Sequence, residues 1–441
     1  MKTPIVDFVK AYAESNVARL HMPGHKGKGL LCGEQYDITE VSGADVLYSP
    51  EGIILESENN ATKLFKTAHT FYSAEGSSLG IKAMLSIATH GKKPYVLAAR
   101  NVHKAFLYGV ALLDLKVDWL YPDTLDHICS CVISPNALNE KLQGMHELPS
   151  AVYVTSPDYF GNVQDIKGLA EVCHKFNMPL LVDNAHGAYL AFLEKSRHPI
   201  HLGADMCCDS AHKTLPVLTG GAYLHISENA PKSYCDNARR FLSVFASTSP
   251  SYLIMQSLDM CNKVLDESFG SDLSDTVKKA NQLKTDLESV GWSFKGDEPM
   301  KLTLDCNSFG ISGEEIADIL RQNNIECEFC DRDVVVLMFT PFVDDAVYEI
   351  LKTELSSVKK GATEPQAVLP LCKGEQKISI REALFSEQET VSVESAVDRV
   401  CVAPNVSCPP AVPPVMSGEV ITEETLKVLK YYNISKIDVV K

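Results

Sequence analysis

The sequence has no apolar run that approaches the ~20 residues needed to cross a bilayer, and its N-terminus has no signal-peptide pattern. It also has no excess of positive charge, because 41 Lys and Arg stand against 57 Asp and Glu, for a formal net charge of −16. Nucleic acids and acidic membranes require a basic protein face. The composition therefore predicts a cytoplasmic protein with no nucleic-acid partner and no membrane partner.

The sequence also lacks the cysteine spacing of a disulfide or zinc framework, although it contains 14 cysteines. Its one C-x-x-C pair, Cys327 and Cys330, has no second pair with which to bind zinc. We therefore expect reduced thiols and no metal site. No internal repeat or low-complexity tract is present, and 441 residues of ordinary globular composition predict two or three domains.

Two polar clusters each follow a short apolar run. The run at 179–182 ends in Asp183, and the run at 205–209 is followed by Ser210, His212 and Lys213. Runs of this length, bounded by polar residues, are typical of buried strands in a parallel sheet. Ligands bind at the carboxyl ends of such strands. Strand and helix patterns also alternate elsewhere in the chain, which predicts an α/β fold with right-handed crossovers.

The two clusters together contain the groups that pyridoxal 5'-phosphate requires. A lysine such as Lys213 carries this cofactor as a Schiff base, and a carboxylate such as Asp183 keeps the pyridine nitrogen protonated. Hydroxyl and imidazole groups just before the lysine can hold the phosphate. Alone, either residue is more typical of a surface lysine or a turn, but their combination favours a cofactor site.

A third segment, Gly76-Ser77-Ser78, precedes the apolar helical pattern at 81–87. Free backbone N–H groups and the helix dipole favour an anion at a helix N-terminus. The same motif is also typical of a simple N-cap. Its position ahead of the lysine cluster favours a role in phosphate binding.

DNAHG (183–187) and SAHKTLPVLTGGA (210–222) resemble the Orn/Lys/Arg decarboxylase family, which has the aminotransferase-like pyridoxal phosphate fold. The similarity extends from HMPGHKG (21–27) to about residue 260, and more weakly to the C-terminus. The resemblance implies an α/β protein with a mainly parallel large-domain sheet. It also implies four segments: an N-terminal segment at a dimer interface (1–30), a large cofactor-binding domain (31–262), a smaller α/β domain (263–360) and a C-terminal α+β module (361–441).

The resemblance also implies roles for individual residues. Lys213 would form the Schiff base, Asp183 would pair with the pyridine nitrogen, His103 would stack on the ring and His186 would lie near the phenolate oxygen. Read alone, His103 is more typical of a helix cap or a surface histidine. The implied phosphate ligands are Gly76, Ser77, Ser78, Ser210 and His212, with Thr248 of STSPSY (247–252) reaching in from the partner subunit.

Active sites shared in this way require a homodimer. Family members with a large N-terminal wing carry it ahead of the cofactor domain, whereas here the similar segment starts at about residue 21. We therefore expect a dimer or a dimer of dimers rather than a wing-mediated decamer.

The implied reaction is α-decarboxylation of arginine, lysine or ornithine to the amine and CO2, a chemistry of polyamine biosynthesis. The same fold and Asp/Lys pair also serve aminotransferases and carbon–sulfur lyases. Arg321 and Arg332 could bind a substrate carboxylate, as an arginine does in aminotransferases. A catalytically inactive regulatory homologue is disfavoured because Lys213 and Asp183 are both present.

The sequence departs from the family pattern in places. Its C-terminal proline-rich loop differs at three positions: Cys408, Ala411 and Ser417. Glu419 is retained there, where it would face either the cationic end of a substrate or solvent. Asn184 replaces the glutamate that is more usual after the aspartate, and Tyr189 replaces a common histidine. These two changes would alter the pocket without removing the core chemistry.

Overall fold

The computed structural model describes residues 1–29, 31–122, 127–361, 369, 373–403 and 412–441. The chain forms two compact units. Unit 1 comprises Met1–Lys93, Pro149–Val154 and Ile166–Asp272, and unit 2 comprises Pro94–Leu148, Thr155–Asp165 and Leu273–Lys441. The limits of the four segments expected from the sequence remain predictions. Among the described residues, no helix combines the length and apolar character that a membrane crossing requires.

The helices are distributed along the whole chain. In chain order they are α1 (Pro4–Glu14), α2 (Ile53–Phe65), α3 (Ser77–Thr89), α4 (Lys104–Leu113), α5 (Pro135–Gln143), α6 (Ile166–Lys175), α7 (Ala211–Thr214), α8 (Lys232–Phe245), α9 (Tyr252–Glu267), α10 (Phe269–Ser289), α11 (Cys306–Phe309), α12 (Gly313–Gln322), α13 (Asp345–Ser357), α14 (Ile380–Leu384) and α15 (Glu423–Tyr431).

The strands alternate with these helices. They are β1 (His69–Ser73), β2 (Tyr95–Ala99), β3 (Lys116–Leu120), β4 (Ala151–Thr155), β5 (Leu180–Asp183), β6 (Met206–Asp209), β7 (Ala222–Ile226), β8 (Phe294–Lys295), β9 (Lys301–Asp305), β10 (Phe329–Cys330), β11 (Val334–Met338), β12 (Gln388–Ser392), β13 (Cys401–Ala403) and β14 (Lys436–Val440).

In unit 1 the strand order is β1-β7-β6-β5-β4. Strand β5 pairs parallel with β6, whereas β7 pairs antiparallel with both β6 and β1. Every residue of β5 and β6 is buried. Burial on both faces explains why these strands have continuous apolar runs instead of alternating ones.

Unit 2 contains three groups of paired strands. Strands β2 and β3 pair parallel. A four-stranded antiparallel sheet has the order β10-β11-β9-β8, and a three-stranded antiparallel sheet has the order β12-β14-β13. Strand β14 contributes Ile437 and Val439 to a small core of its own near the C-terminus.

The β5–β6 register determines where the site can form. Leu181 pairs with Met206, Val182 with Cys207 and Asp183 with Cys208. Parallel strands present their carboxyl ends at the same edge of a sheet. The two polar clusters therefore follow neighbouring strands and lie at one edge of the unit 1 sheet.

Candidate active site

Lys213 and His186 lie against each other. Strand β6 ends at Asp209, and the short helix α7 that follows carries Lys213. The Lys213 Nζ atom lies 3.0 Å from His186 Nε2. His186 is buried and Lys213 is half-buried. The Lys213 amine and the His186 imidazole thus form one site, as expected for residues that follow neighbouring parallel strands.

Asp183, the last residue of β5, is 2% exposed. Its Oδ2 accepts a hydrogen bond from the Tyr153 hydroxyl at 3.2 Å, and its Oδ1 accepts one from the Ala185 backbone N–H at 3.2 Å. Burial raises the pKa of Asp183, and the positive charge of Lys213 offsets only part of this effect. A buried carboxylate with this proton affinity is suited to pair with a protonated ring nitrogen.

Helix α3 begins at Ser77 and forms the next part of the site. Ser210 Oγ donates a hydrogen bond to Ser77 Oγ at 2.7 Å, so the residue after β6 meets the first residue of α3. Gly76 precedes the helix with φ of 73°, a left-handed value that favours glycine. The first N–H groups of a helix, here including that of Ser78, have no intrahelical acceptor. Hydroxyls and free N–H groups thus converge in an anion-binding arrangement.

His212 lies on α7 next to Lys213 and is half-buried. Its backbone N–H donates to the Gly221 carbonyl at 3.2 Å. Burial lowers the pKa of the His212 imidazole, and the neighbouring Lys213 charge lowers it further. A neutral imidazole would serve a phosphate as a hydrogen-bond donor rather than as a counter-charge.

Thr248 is exposed in the turn between α8 and α9. The preceding residue, Ser247, donates its backbone N–H to Glu75 Oε1 at 2.6 Å. Glu75 directly precedes Gly76, so this turn is tied to the loop in front of α3. The role of Thr248 at the partner's phosphate remains a prediction.

His103 belongs to unit 2, where it caps α4. Its Nδ1 accepts a hydrogen bond from the Ala105 backbone N–H at 3.1 Å. In the neutral ring the proton therefore resides on Nε2. The capping role suggested by the sequence alone is observed, and stacking on the cofactor ring remains a prediction.

Glu419 does not face solvent. It is 2% exposed, and its Oε2 accepts hydrogen bonds from Arg100 Nη2 at 3.2 Å and from the Met416 N–H at 2.8 Å. Arg100 itself is fully buried and also donates to the carbonyls of Pro413 and Pro414. Of the two alternatives considered for Glu419, exposure to solvent is therefore wrong. Cys408 and Ala411 lie outside the described residues.

Sequence reasoning missed the hydrogen-bonding function of Asp209. It ends the apolar run of β6, yet its carboxylate accepts hydrogen bonds from Asn184, His198 and His225. Asn184 was expected only to alter the pocket. A carboxylate at the end of a fully buried strand must be paired, and this requirement was the available signal.

The groups gathered in unit 1 fit pyridoxal phosphate. They provide an amine at Lys213, a buried carboxylate at Asp183, and hydroxyls from Ser77 and Ser210 at a helix N-terminus. These features define a pyridoxal phosphate-dependent enzyme of the aminotransferase-like fold.

Two family models match most of this chain. The family model described as "Orn/Lys/Arg decarboxylase, major domain" matches residues 3–303, and the model for the C-terminal domain of the same family matches residues 367–437. The chain belongs to the Orn/Lys/Arg decarboxylase family. It is an amino-acid decarboxylase, and pyridoxal phosphate is its cofactor.

Relatives resemble this chain over nearly its full length. An arginine decarboxylase of Bacillus subtilis is 28% identical, over 96% of this chain and 92% of the relative. The uncharacterized protein YaaO of the same organism is 30% identical, over 97% and 94%. The solved lysine decarboxylase of Francisella novicida is 16% identical with a TM-score of 0.83, over 100% of this chain and 81% of the other. This shared fold confirms the predicted α/β class with its mainly parallel large sheet.

Proposed function

We propose that the protein removes the α-carboxylate of a basic amino acid as CO2 and that Lys213 is the Schiff-base attachment point of the cofactor. The observation that carries this proposal is the 3.0 Å contact of Lys213 Nζ with His186 Nε2, beside the strand that ends in buried Asp183. The names of several relatives support arginine as the first substrate to test, ahead of lysine and ornithine.

When bound, pyridoxal phosphate supplies an electron sink for the electron pair left on Cα as CO2 departs. Asp183 would hold a proton on the ring nitrogen, and its burial strengthens that attraction because water is excluded. His186 would orient the Lys213 amine through their hydrogen bond. Lys213 Nζ would then return a proton to Cα and complete the amine product.

Other residues would position the cofactor without taking part in bond breaking. Ser77, Ser78, Ser210 and His212 would bind the phosphate at the start of α3. Gly76 provides the left-handed turn that leads into this helix. In the proposed role of His103, its ring would lie on the face of the cofactor.

We also propose a homodimer. The N-terminal segment leaves Leu20, Met22 and Leu31 strongly exposed, at 94%, 66% and 81%. Several strongly exposed apolar side chains in one short segment favour a protein–protein interface. A molecular mass measured by light scattering tests this directly, and a monomeric mass for the active enzyme would contradict the dimer.

The function is tested by measuring CO2 and amine from arginine, lysine and ornithine separately. Agmatine, cadaverine or putrescine would identify the substrate. Lys213→Ala is expected to abolish CO2 release, together with the covalent cofactor that borohydride fixes on the Lys213 peptide. Lys195→Ala, at an exposed lysine of the same unit, is the matched control and should retain both. An active Lys213→Ala variant would contradict the assignment.

The aminotransferase alternative gains no specific support from the arginines noted in the sequence. Arg321 is exposed and ion-paired with Asp318 and Glu326. Arg332 lies over the Tyr431 ring at 5.2 Å. Formation of a keto acid without CO2 in the assay above would nevertheless establish that reaction or a related one.

A further inference from the structure

One fully buried carboxylate joins several elements behind the candidate site. Asp209 Oδ1 accepts a hydrogen bond from Asn184 Nδ2 at 2.7 Å. Its Oδ2 accepts from His198 Nε2 at 3.0 Å and from His225 Nε2 at 3.1 Å. All four side chains are 0% exposed. An ionised group so far from water requires this degree of hydrogen bonding.

The hydrogen bonds indicate how the protons are arranged. His225 Nδ1 lies 2.9 Å from Thr70 Oγ1, and Thr67 Oγ1 lies 2.9 Å from the same Thr70 hydroxyl. Thr67 can therefore donate to Thr70 and Thr70 to His225 Nδ1, which leaves the His225 proton on Nε2, facing Asp209.

Burial lowers the pKa of the His198 imidazole. Burial would raise the pKa of Asp209, but its two histidine partners more than offset this, so the pKa lies well below the usual range. The cluster formed by Asp209, Asn184, His198 and His225 (the Asp209 cluster) thus holds an ionised carboxylate among three hydrogen-bonding side chains.

The hydrogen bonds of these groups favour a carboxylate–histidine cluster over a metal site. His198, Cys207 and Asp209 lie close enough together to share one. However, His198 Nε2 donates its proton to Asp209, and a metal would need that nitrogen deprotonated and free.

The Asp209 cluster is connected to the candidate site through the ends of both β5 and β6. Asn184 directly follows Asp183, and its backbone N–H donates to the Cys208 carbonyl at 3.0 Å. Asp209 is followed directly by Ser210, whose hydroxyl meets Ser77. After burial, the negative charge of Asp209 also contributes to the raised pKa of Asp183.

We propose that Asp209, held by His198 and His225, is a positioning residue that fixes the Asp183 turn through Asn184 and adds negative potential favouring a protonated cofactor ring. This inference rests on the proposed placement of pyridoxal phosphate at Asp183 and Lys213. It assigns a function to Asn184, which the sequence alone predicted only to alter the pocket.

The test measures cofactor binding and ring protonation, not only turnover. Asn184→Ala removes one hydrogen bond and leaves the Asp209–histidine pairs in place, so it should fold. We expect the Kd of the apoprotein for pyridoxal phosphate to rise about tenfold, because a hydrogen bond to a charged group is lost. Asp209→Asn removes the charge itself. In that variant the ¹⁵N resonance of ring-labelled cofactor should move toward the unprotonated form.

Asp205→Asn is the matched control. Asp205 pairs with His174 at 2.9 Å just before the start of β6, the end of the strand opposite the site. The Asp205→Asn variant should have a changed melting temperature but an unchanged Kd for pyridoxal phosphate and an unchanged ¹⁵N resonance. Should Asp209→Asn fail to fold, Asn184→Ala still decides the matter.

Unchanged Kd and ring protonation in Asn184→Ala and Asp209→Asn would overturn the inference, even if both variants melted earlier. If the unaltered protein bound no pyridoxal phosphate, or if borohydride fixed none on Lys213, the proposed function would fail instead. The two failures are therefore distinguishable.

Discussion

Asp183 combines two properties that oppose each other in the cofactor-free protein: it is buried, and its proposed role requires a negative charge. Burial raises its pKa, which means that the folded state favours the protonated form. The contribution of this group to stability is therefore greatest at low pH and is lost as pH rises through its folded-state pKa. When the cofactor is bound, a proton held between its ring nitrogen and the Asp183 carboxylate would offset the free-energy cost of ionising this buried group.

Asp183→Asn separates these two properties. We expect CO2 release to fall by about 10² or more, because a neutral amide cannot stabilise a protonated ring nitrogen. Without cofactor, the variant should melt no earlier than the unaltered protein. The difference between their melting temperatures should be larger at pH 8 than at pH 5. Activity assays and melting curves of the cofactor-free proteins measure both effects. A fully active variant would contradict the role of Asp183.

The residues of the site differ in how far the sequence reveals them. Lys213 and Asp183 follow apolar runs, and their chemistry is specific when both are present. For Asp209, the end of a buried run indicates only that the carboxylate must be paired, because its partners Asn184, His198 and His225 lie 25, 11 and 16 residues away. Hydrogen bonds of that separation depend on the folded sheet and cannot be inferred from local spacing.

At the scale of elements, Asp259 of α9 anchors the start of α1. Its Oδ2 accepts the backbone N–H groups of Ile5 and Val6 at 2.9 and 3.0 Å, and its Oδ1 accepts the Ser57 hydroxyl at 2.5 Å. Burial raises the pKa of Asp259 from 3.8 to about 6, although these hydrogen bonds oppose the shift. Helix α1 is therefore held by a carboxyl group that is costly to ionise.

This arrangement predicts a specific pH dependence for Asp259→Asn. Because the pKa is higher in the folded state, this group makes the fold lose stability as pH rises from about 4 to about 6. The asparagine variant has no carboxyl group to ionise, so it does not lose stability in this way. Its side-chain amide can accept hydrogen bonds from the N–H groups of α1 and donate one to the Ser57 hydroxyl. Its melting temperature relative to the unaltered protein should therefore rise across this window and then level off. A difference that stays constant between pH 4 and 7 would contradict the prediction.

At the scale of the whole molecule, the sequence indicates the class of fold but not its strand order. Four-residue apolar runs predict buried parallel strands because both faces are covered, as in β5 and β6. The antiparallel pairing of His69 with Ile226 joins distant parts of the chain and has no local signal. The same limit applies to Glu419, whose partner Arg100 is 319 residues away.

The proposed dimer makes a prediction about mixed subunits. If Thr248 completes the partner's site, Lys213→Ala and Thr248→Glu disable different halves of each site, the second by placing a negative charge near the phosphate. Each variant alone should be inactive. Randomly mixed dimers should recover about a quarter of the unaltered activity, because half of them are mixed and each mixed dimer has one intact site of two.

Ser77→Glu provides the matched control for this experiment. Ser77 contacts Ser210 of its own chain, so it belongs to the same half-site as Lys213. Mixing Ser77→Glu with Lys213→Ala should therefore restore nothing, since one site lacks the lysine and the other lacks its phosphate cradle. Recovery in the Thr248 mixture alone would establish that a second copy of the chain supplies Thr248. No recovery in either mixture would place the complete site within one chain.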